Sequence, residues 1–258
     1  MPPVSQSPPL EPQLPLGEVP PISPEFQFLG LPHITVMILM VVIPVGLAVW
    51  VRKTDSPIVT RAVCYCLGSV LLINEVIHWC YRWYEKGPSE FVQEHLPLHV
   101  CGVGLFLTVF ALFYRNQFLY EIAYFWGLVG TLQAVITPSL EEAFPAYRFF
   151  QYFIVHSGIV VSVLFATLGL KMRPTLRSLF RSFLILNVYA VIIGSVNYLL
   201  NSNYMFLREP PVTASPFFFA SWPWYIPILD SVALLFFFLV YSPFLISDWI
   251  SGHRSGTG

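Results

Sequence analysis

The chain has 258 residues, 56% of them hydrophobic and 10% charged, with a formal net charge of −1, against about 25% charged in an ordinary soluble domain. Thirteen Lys and Arg plus 14 Asp and Glu cannot cover a water-soluble surface of this size while 23 Phe, 13 Tyr and 7 Trp are hidden. A soluble globular protein is excluded, and nucleic acid finds no basic footprint to bind.

Residues 1–28 contain nine prolines, three glutamates and no Lys or Arg, a composition that predicts a disordered Pro-rich tail. The tail lacks the charged n-region and small-residue cleavage site of a signal peptide, so the first apolar run is expected to stay as a membrane anchor. A membrane domain over 29–248 and a flexible C-terminal tail over 249–258 complete the predicted organisation.

Seven apolar runs follow, at about 31–51, 58–83, 96–114, 119–137, 149–170, 179–200 and 224–246. Each approaches the ~20 helical residues that cross a hydrocarbon core of about 30 Å. They lack the alternation of barrel strands, and lipid leaves no backbone group unsatisfied, so they predict an all-α polytopic bundle of seven transmembrane helices.

Positive charges set the expected orientation. With the tail outside, Arg52, Lys53, Arg61, Arg115, Lys171, Arg173, Arg177, Arg181 and Arg254 are cytoplasmic, while Arg82, Lys86, Arg148 and Arg208 are outside. Nine against four predicts N-out, C-in. Trp50, Trp83, Tyr84, Trp222, Trp224 and Trp249 stand near run ends, where interfacial aromatics anchor a helix.

In that orientation the intramembrane polar residues gather on the outer side. Asn74, Glu75 and His78 lie past the midpoint of the second run, and His99 and Cys101 near the outer start of the third. Gln133 and Thr137 close the fourth, Gln151 and His156 open the fifth, Asn197 and Asn201 end the sixth, and Asp230 lies on the seventh. Ionisable groups in a bilayer usually face a bundle interior or a wet cavity, so this level predicts one shared outward-facing pocket. Interhelical hydrogen bonding is an equal reading for Gln133, Asn197 and Thr137. Glu121 and Asn187, on the inner half, are expected to be structural. Cys64 and Cys66 point to different helix faces and read as buried hydrophobes.

Five ordered strings carry a family likeness: Leu96-Pro-Leu-His-Val-Cys101, Tyr124-Phe-Trp-Gly-Leu-Val-Gly-Thr-Leu-Gln133, Arg148-Phe-Phe-Gln-Tyr-Phe153 with His156, Asn197-Tyr-Leu-Leu-Asn-Ser-Asn-Tyr-Met205, and Trp222-Pro-Trp-Tyr225. Together they resemble the bacterial YwaF-type integral membrane family over roughly residues 26–245, which implies a bacterial cytoplasmic membrane. That family is distantly similar to eukaryotic transmembrane acyltransferases that remodel ether phospholipids through a cysteine nucleophile. The resemblance implies acyl transfer on membrane lipids, with no soluble protein partner and no cofactor. The relatives carry Pro-Cys-His on the third helix, where this chain has Pro97-Leu-His99-Val-Cys101.

Residues two apart on a helix point about 200° apart, so a helix through this string cannot aim both His99 and Cys101 inward. His99 shares a face with His95, Gly102 and Phe106, and is the expected cavity residue. If Cys101 faces inward instead, His156 is its candidate general base, with Gln151 or Asn197 donating to an oxyanion. His95 and His99 could alternatively join His156 around Zn²⁺, although Pro97 interrupts that i, i+4 geometry and the seventh run lacks a His-x-x-x-His pair. A non-enzymatic carrier or ligand sensor stays open beside these readings.

Overall fold

The computed structural model describes residues 25–140, 142–210 and 220–255. The predicted tail lies, up to residue 24, outside the described residues. Regular structure among the described residues is helical, with one isolated bridge between Glu25 and Glu142. Seven helices follow in order: α1 (Leu31–Thr54), α2 (Pro57–Glu94), α3 (Val100–Tyr114), α4 (Gln117–Ile136), α5 (Tyr147–Leu168), α6 (Leu176–Leu200) and α7 (Tyr225–Ser255). A 3-10 turn at Tyr204–Phe206 precedes α7. Six of them, all but α3, are long and apolar enough to cross a membrane.

Local chemistry sets several ends. Pro32 starts α1 where a missing N–H costs nothing, and Arg52 and Lys53 occupy its last turn, against the negative end of the helix dipole. The Asn116 side chain caps α4 by accepting from Leu119 N–H at 3.0 Å. Thr175 and Ser178 form a reciprocal capping box on α6. The last helix continues to Ser255, through most of the stretch expected to be a C-terminal tail.

Two elements depart from straight spans. At Gly87 the α2 backbone takes φ 76°, ψ 170°, and Pro88 follows, so the helical ladder breaks where a residue without Cβ precedes one without N–H. The limb 88–94 folds back along its parent, bringing the Trp83 and Phe91 rings to 5.4 Å and the His78 and His95 rings to 6.3 Å. The third predicted run begins as helix only at Val100. At 1.5 Å per residue its 15 residues rise ~22 Å, short of a ~30 Å core. The non-helical connector at 95–99 precedes it, as expected where Pro97 disfavours the helical conformation of Leu96.

The interior is built on α4 and α5, whose apolar windows are 61% buried, against 11–22% for α1, α2, α6 and α7. The outer four therefore present apolar faces outward, such as Ile38 and Val42 on α1 and Val191 on α6, as lipid-facing helices must. Polar ties fix the packing: Tyr124 donates to Val240 O at 2.6 Å, Trp126 to Ser182 O at 3.1 Å, and Arg181 of α6 pairs with buried Glu121 of α4. The stretch from Glu25 onward is held against the bundle. His33 is buried and links Leu29 N–H (3.2 Å) to Val135 O (2.7 Å), and Phe26 packs on His33 and Phe153.

Candidate functional site at the mouth of the bundle

The break in α2 and the 95–99 connector bring non-helical backbone into the bundle mouth, where its polar groups need protein partners. Two tyrosines help supply them, Tyr189 of α6 and Tyr204 of the α6–α7 loop. The Tyr204 hydroxyl accepts from Leu96 N–H at 3.0 Å and donates to Val92 O at 2.8 Å, while Tyr189 donates to Leu98 O at 2.9 Å. Burial pushes the Tyr204 phenol up, which keeps the proton that the bond to Val92 requires.

His99 is the N-cap of α3, with extended backbone (φ −70°, ψ 154°). The helical-wheel argument separating it from Cys101 therefore does not apply. Its ring packs on Tyr204 and Phe206, and Nδ1 accepts from Met205 N–H at 3.2 Å. That bond uses the Nδ1 lone pair, so the ring proton of the neutral imidazole is on Nε2.

Cys101 lies in the first turn of α3. The helix start has no side-chain cap, and its first intrahelical bond is Val103 N–H to His99 O at 3.1 Å. The amides of Val100, Cys101 and Gly102 are the orphan donors of a helix N-terminus, and those of Cys101 and Gly102 lie against the Cys101 sulfur. Gly102 is required by close approach, since a Cβ there would sit 2.9 Å from Pro97 Cα. The Cys101 thiol interacts electrostatically with Tyr152, Tyr189 and Glu75.

Tyr152 connects that thiol to α5. Its ring lies 4.3 Å from the His156 ring, and its carbonyl bonds His156 Nδ1 at 2.8 Å. A carbonyl oxygen only accepts, so Nδ1 carries the proton and Nε2 keeps its lone pair. Around this centre Gln151 is buried, taking Arg148 on Oε1 at 2.7 Å and Asn74 on its backbone oxygen at 3.3 Å. Glu75 is buried with the Trp79 indole beside it.

The other expected pocket residues are elsewhere. Asn197 is fully buried and saturated by the α6–α7 loop, binding Tyr204 through both ends and accepting from Ser202 at 2.9 Å. Asn201 takes Arg208 at 2.9 Å beside a cavity of about 510 Å³ that His99, Tyr204 and Arg208 also line. Asp230 accepts from Asn187 at 3.1 Å between α6 and α7, and Gln133 is exposed on α4. The level expected to hold one pocket thus separates into a centre on α2, α3 and α5 and a loop-anchoring group on α6.

A family model described as the TMEM164 family matches residues 28–241, most of the chain. The chain belongs to the TMEM164 family. The match takes in α1 through most of α7, including the α2 break, the connector and the α6–α7 loop. No curated protein and no solved structure matches the chain.

In this TMEM164-family chain the sequence reading missed the tyrosines, whose hydroxyls organise the mouth, because an aromatic in an apolar run reads as lipid-facing or core. From sequence Arg82 reads as a topology marker, and Arg148 as a topology marker and the head of a family string, neither as a site residue. Their signal was position: Arg82 falls one turn beyond His78, and Arg148 falls three residues before Gln151. For the zinc alternative, a close trio of metal-capable groups among the described residues is Glu90, Glu94 and His95, without His99 or His156. Lys86 takes Glu90 from that trio at 3.0 Å. The cysteines of the described residues are free, Cys80 and Cys101 included.

Proposed function

We propose that this protein transfers acyl groups between membrane lipids, with Cys101 as the acyl carrier and His156 as the general base. The observation that carries the reading is the placement of Cys101 in the first turn of an uncapped helix, beside the tyrosine that orients His156. The likeness of the strings to a membrane family distantly similar to lipid acyltransferases agrees with acyl transfer, while Pro97-Leu-His99-Val-Cys101 departs from the relatives' Pro-Cys-His, so the choice of Cys101 rests on its place in α3. In the first half-reaction Cys101 Sγ attacks the donor ester carbonyl as His156 Nε2 takes the thiol proton. The amides of the first turn of α3 receive the developing oxyanion, the ester C–O bond breaks, and the leaving oxygen takes the proton from His156. In the second half-reaction His156 deprotonates an acceptor hydroxyl as its oxygen attacks the thioester, the C–S bond breaks, and His156 returns the proton to the Cys101 sulfur. The His99 lone pair is occupied by Met205, which favours Cys101 over His99 as nucleophile.

Seven crossings with the N-terminus outside complete the proposal, α3 and its connector together making the third. The nine-to-four distribution of positive charges supports this orientation. Arg52, Arg115 and Lys171 line one cleft of about 630 Å³ at the end opposite the proposed centre.

The test is trapping the acyl-enzyme. Purified protein in liposomes with a radiolabelled phospholipid should acquire hydroxylamine-sensitive label and pass it to a lysophospholipid. Cys101→Ala should abolish both steps, and label retained on that variant would overturn the assignment.

A further inference from the structure

Three buried nitrogens cluster where α2 ends its long limb: His78 Nδ1, Arg82 Nε and His95 Nε2 have no hydrogen-bond partner among the described residues. His78 and Arg82 are one turn apart on α2, and the back-folded limb sets the His95 ring 6.3 Å from that of His78. The Arg82 side chain is only 14% exposed, and its bond to Glu85, through Nη1 at 2.5 Å, leaves Nε unused. Arg148 stands against the same group, its charge acting on His78, His95, Arg82 and also His156. Of the nearby carboxylates, exposed Glu85 pairs with Arg82 through Nη1, Glu90 is taken by Lys86, and exposed Glu94 lies with Glu90 within 4.8 Å of a His95 ring nitrogen.

Two guanidiniums whose charges oppose one another, brought below the surface beside imidazole nitrogens that have no partner, give up water, a cost offset by an anion that accepts from them. Guanidinium N–H groups match the oxygens of a phosphate in geometry and charge. Exposed Trp83 and Tyr84 flank Arg82 in sequence, and such aromatics sit at headgroup level in a bilayer. We infer that His78, Arg82, His95 and Arg148 form an oxyanion subsite for a phosphate group, whether the headgroup phosphate of a membrane lipid or free phosphate. Arg148 also acts on His156 through its charge and bonds Gln151 of α5, which sets this subsite near the proposed acyl-transfer centre. Its role in orienting a lipid there rests on the acyl-transfer reading, whereas its capacity to bind does not.

The test compares ligands differing by the phosphate alone. Full-length protein in dodecyl maltoside is mixed with 1-palmitoyl lysophosphatidic acid, 1-palmitoylglycerol or inorganic phosphate, and binding is read by thermal unfolding and native mass spectrometry. Lysophosphatidic acid should bind at least tenfold more tightly than 1-palmitoylglycerol. Arg82→Gln and Arg148→Gln should each remove most of that difference, with Arg82→Lys keeping part. Saturation by inorganic phosphate alone, with the same loss in the variants, assigns the subsite to free phosphate. Cys101→Ala should bind like the unaltered protein, so failed acyl transfer with intact phosphate discrimination overturns only the reaction. Equal binding of the two palmitoyl ligands without any phosphate effect, or full discrimination in both glutamine variants, overturns the subsite and leaves the reaction standing.

Discussion

Asn197 holds Tyr204 by both ends of the same residue: its Oδ1 accepts from Tyr204 N–H at 2.8 Å, and its Nδ2 donates to Tyr204 O at 2.8 Å. Tyr204 in turn reaches across to Leu96 and Val92 with its hydroxyl. One amide on α6 therefore fixes the loop that fixes the connector in front of Cys101. Asn197→Leu strands the Tyr204 N–H and C=O in a buried site, at about 1–3 kcal/mol for each unpaired group. The variant should unfold at lower temperature in detergent and lose acyl transfer, while a Tyr204→Phe variant, keeping both Asn197 bonds, should lose less stability. Equal melting of Asn197→Leu and the unaltered protein would refute the anchoring role.

Gly102 and Gly104 make a matched pair. A Cβ at Gly102 meets the Pro97 backbone at 2.9 Å, whereas nothing lies within 4 Å of one at Gly104. Gly102→Ala must push the connector away from the start of α3 and should reduce both thermal stability and thioester formation, by about 1–3 kcal/mol on the scale of an overpacked core. Gly104→Ala should melt at or slightly above the unaltered protein, because alanine favours the helix by about 1 kcal/mol. The melting temperatures of the two variants decide it.

Arg181 and Glu121 tie α6 to α4 with unequal burial, the arginine side chain being 41% exposed and the glutamate 6%. Removing the arginine leaves the buried carboxylate without its counter-charge, with Gln117 Nε2 still donating to it at 3.0 Å, so Arg181→Met should cost about 1–3 kcal/mol, below the cost for a fully buried pair because water still reaches the arginine end. Glu121→Gln should cost less, and adding it to Arg181→Met should recover part of the loss in a double-mutant cycle by thermal unfolding.

Orientation is testable by labelling in a background where the exposed Cys66 and Cys80 have been replaced. Cysteines at the exposed positions Ser139 and Arg177 report opposite ends of α5 and its flanking loops. The first should react with a membrane-impermeant thiol reagent in intact cells, the second only after permeabilisation. Ser178 is unsuitable as a probe, being buried in the capping box of α6. The reverse pattern would move the proposed centre to the cytoplasmic leaflet.

Composition and run length alone determined that this is an all-helical membrane bundle, because hydropathy over ~20 residues and the need to satisfy every backbone group are local properties of the chain. Depth along successive runs put Cys101, His156, Gln151 and Asn74 at one level, together with Gln133, Asn197, Asn201 and Asp230. Depth says nothing about which polar residues meet, and there the tertiary structure decided. His99 became a cap packed on Tyr204 because Pro97 keeps the preceding backbone extended. Asn197 turned inward to a loop whose return to the mouth no helical period encodes. Arg82 and His95, seen from sequence as an outer-side charge and as a histidine sharing a face with His99, were gathered beside His78 by the reversal of direction at Gly87 and Pro88. A single left-handed glycine redirects everything after it, and only the packing of the folded-back limb fixes where those side chains arrive.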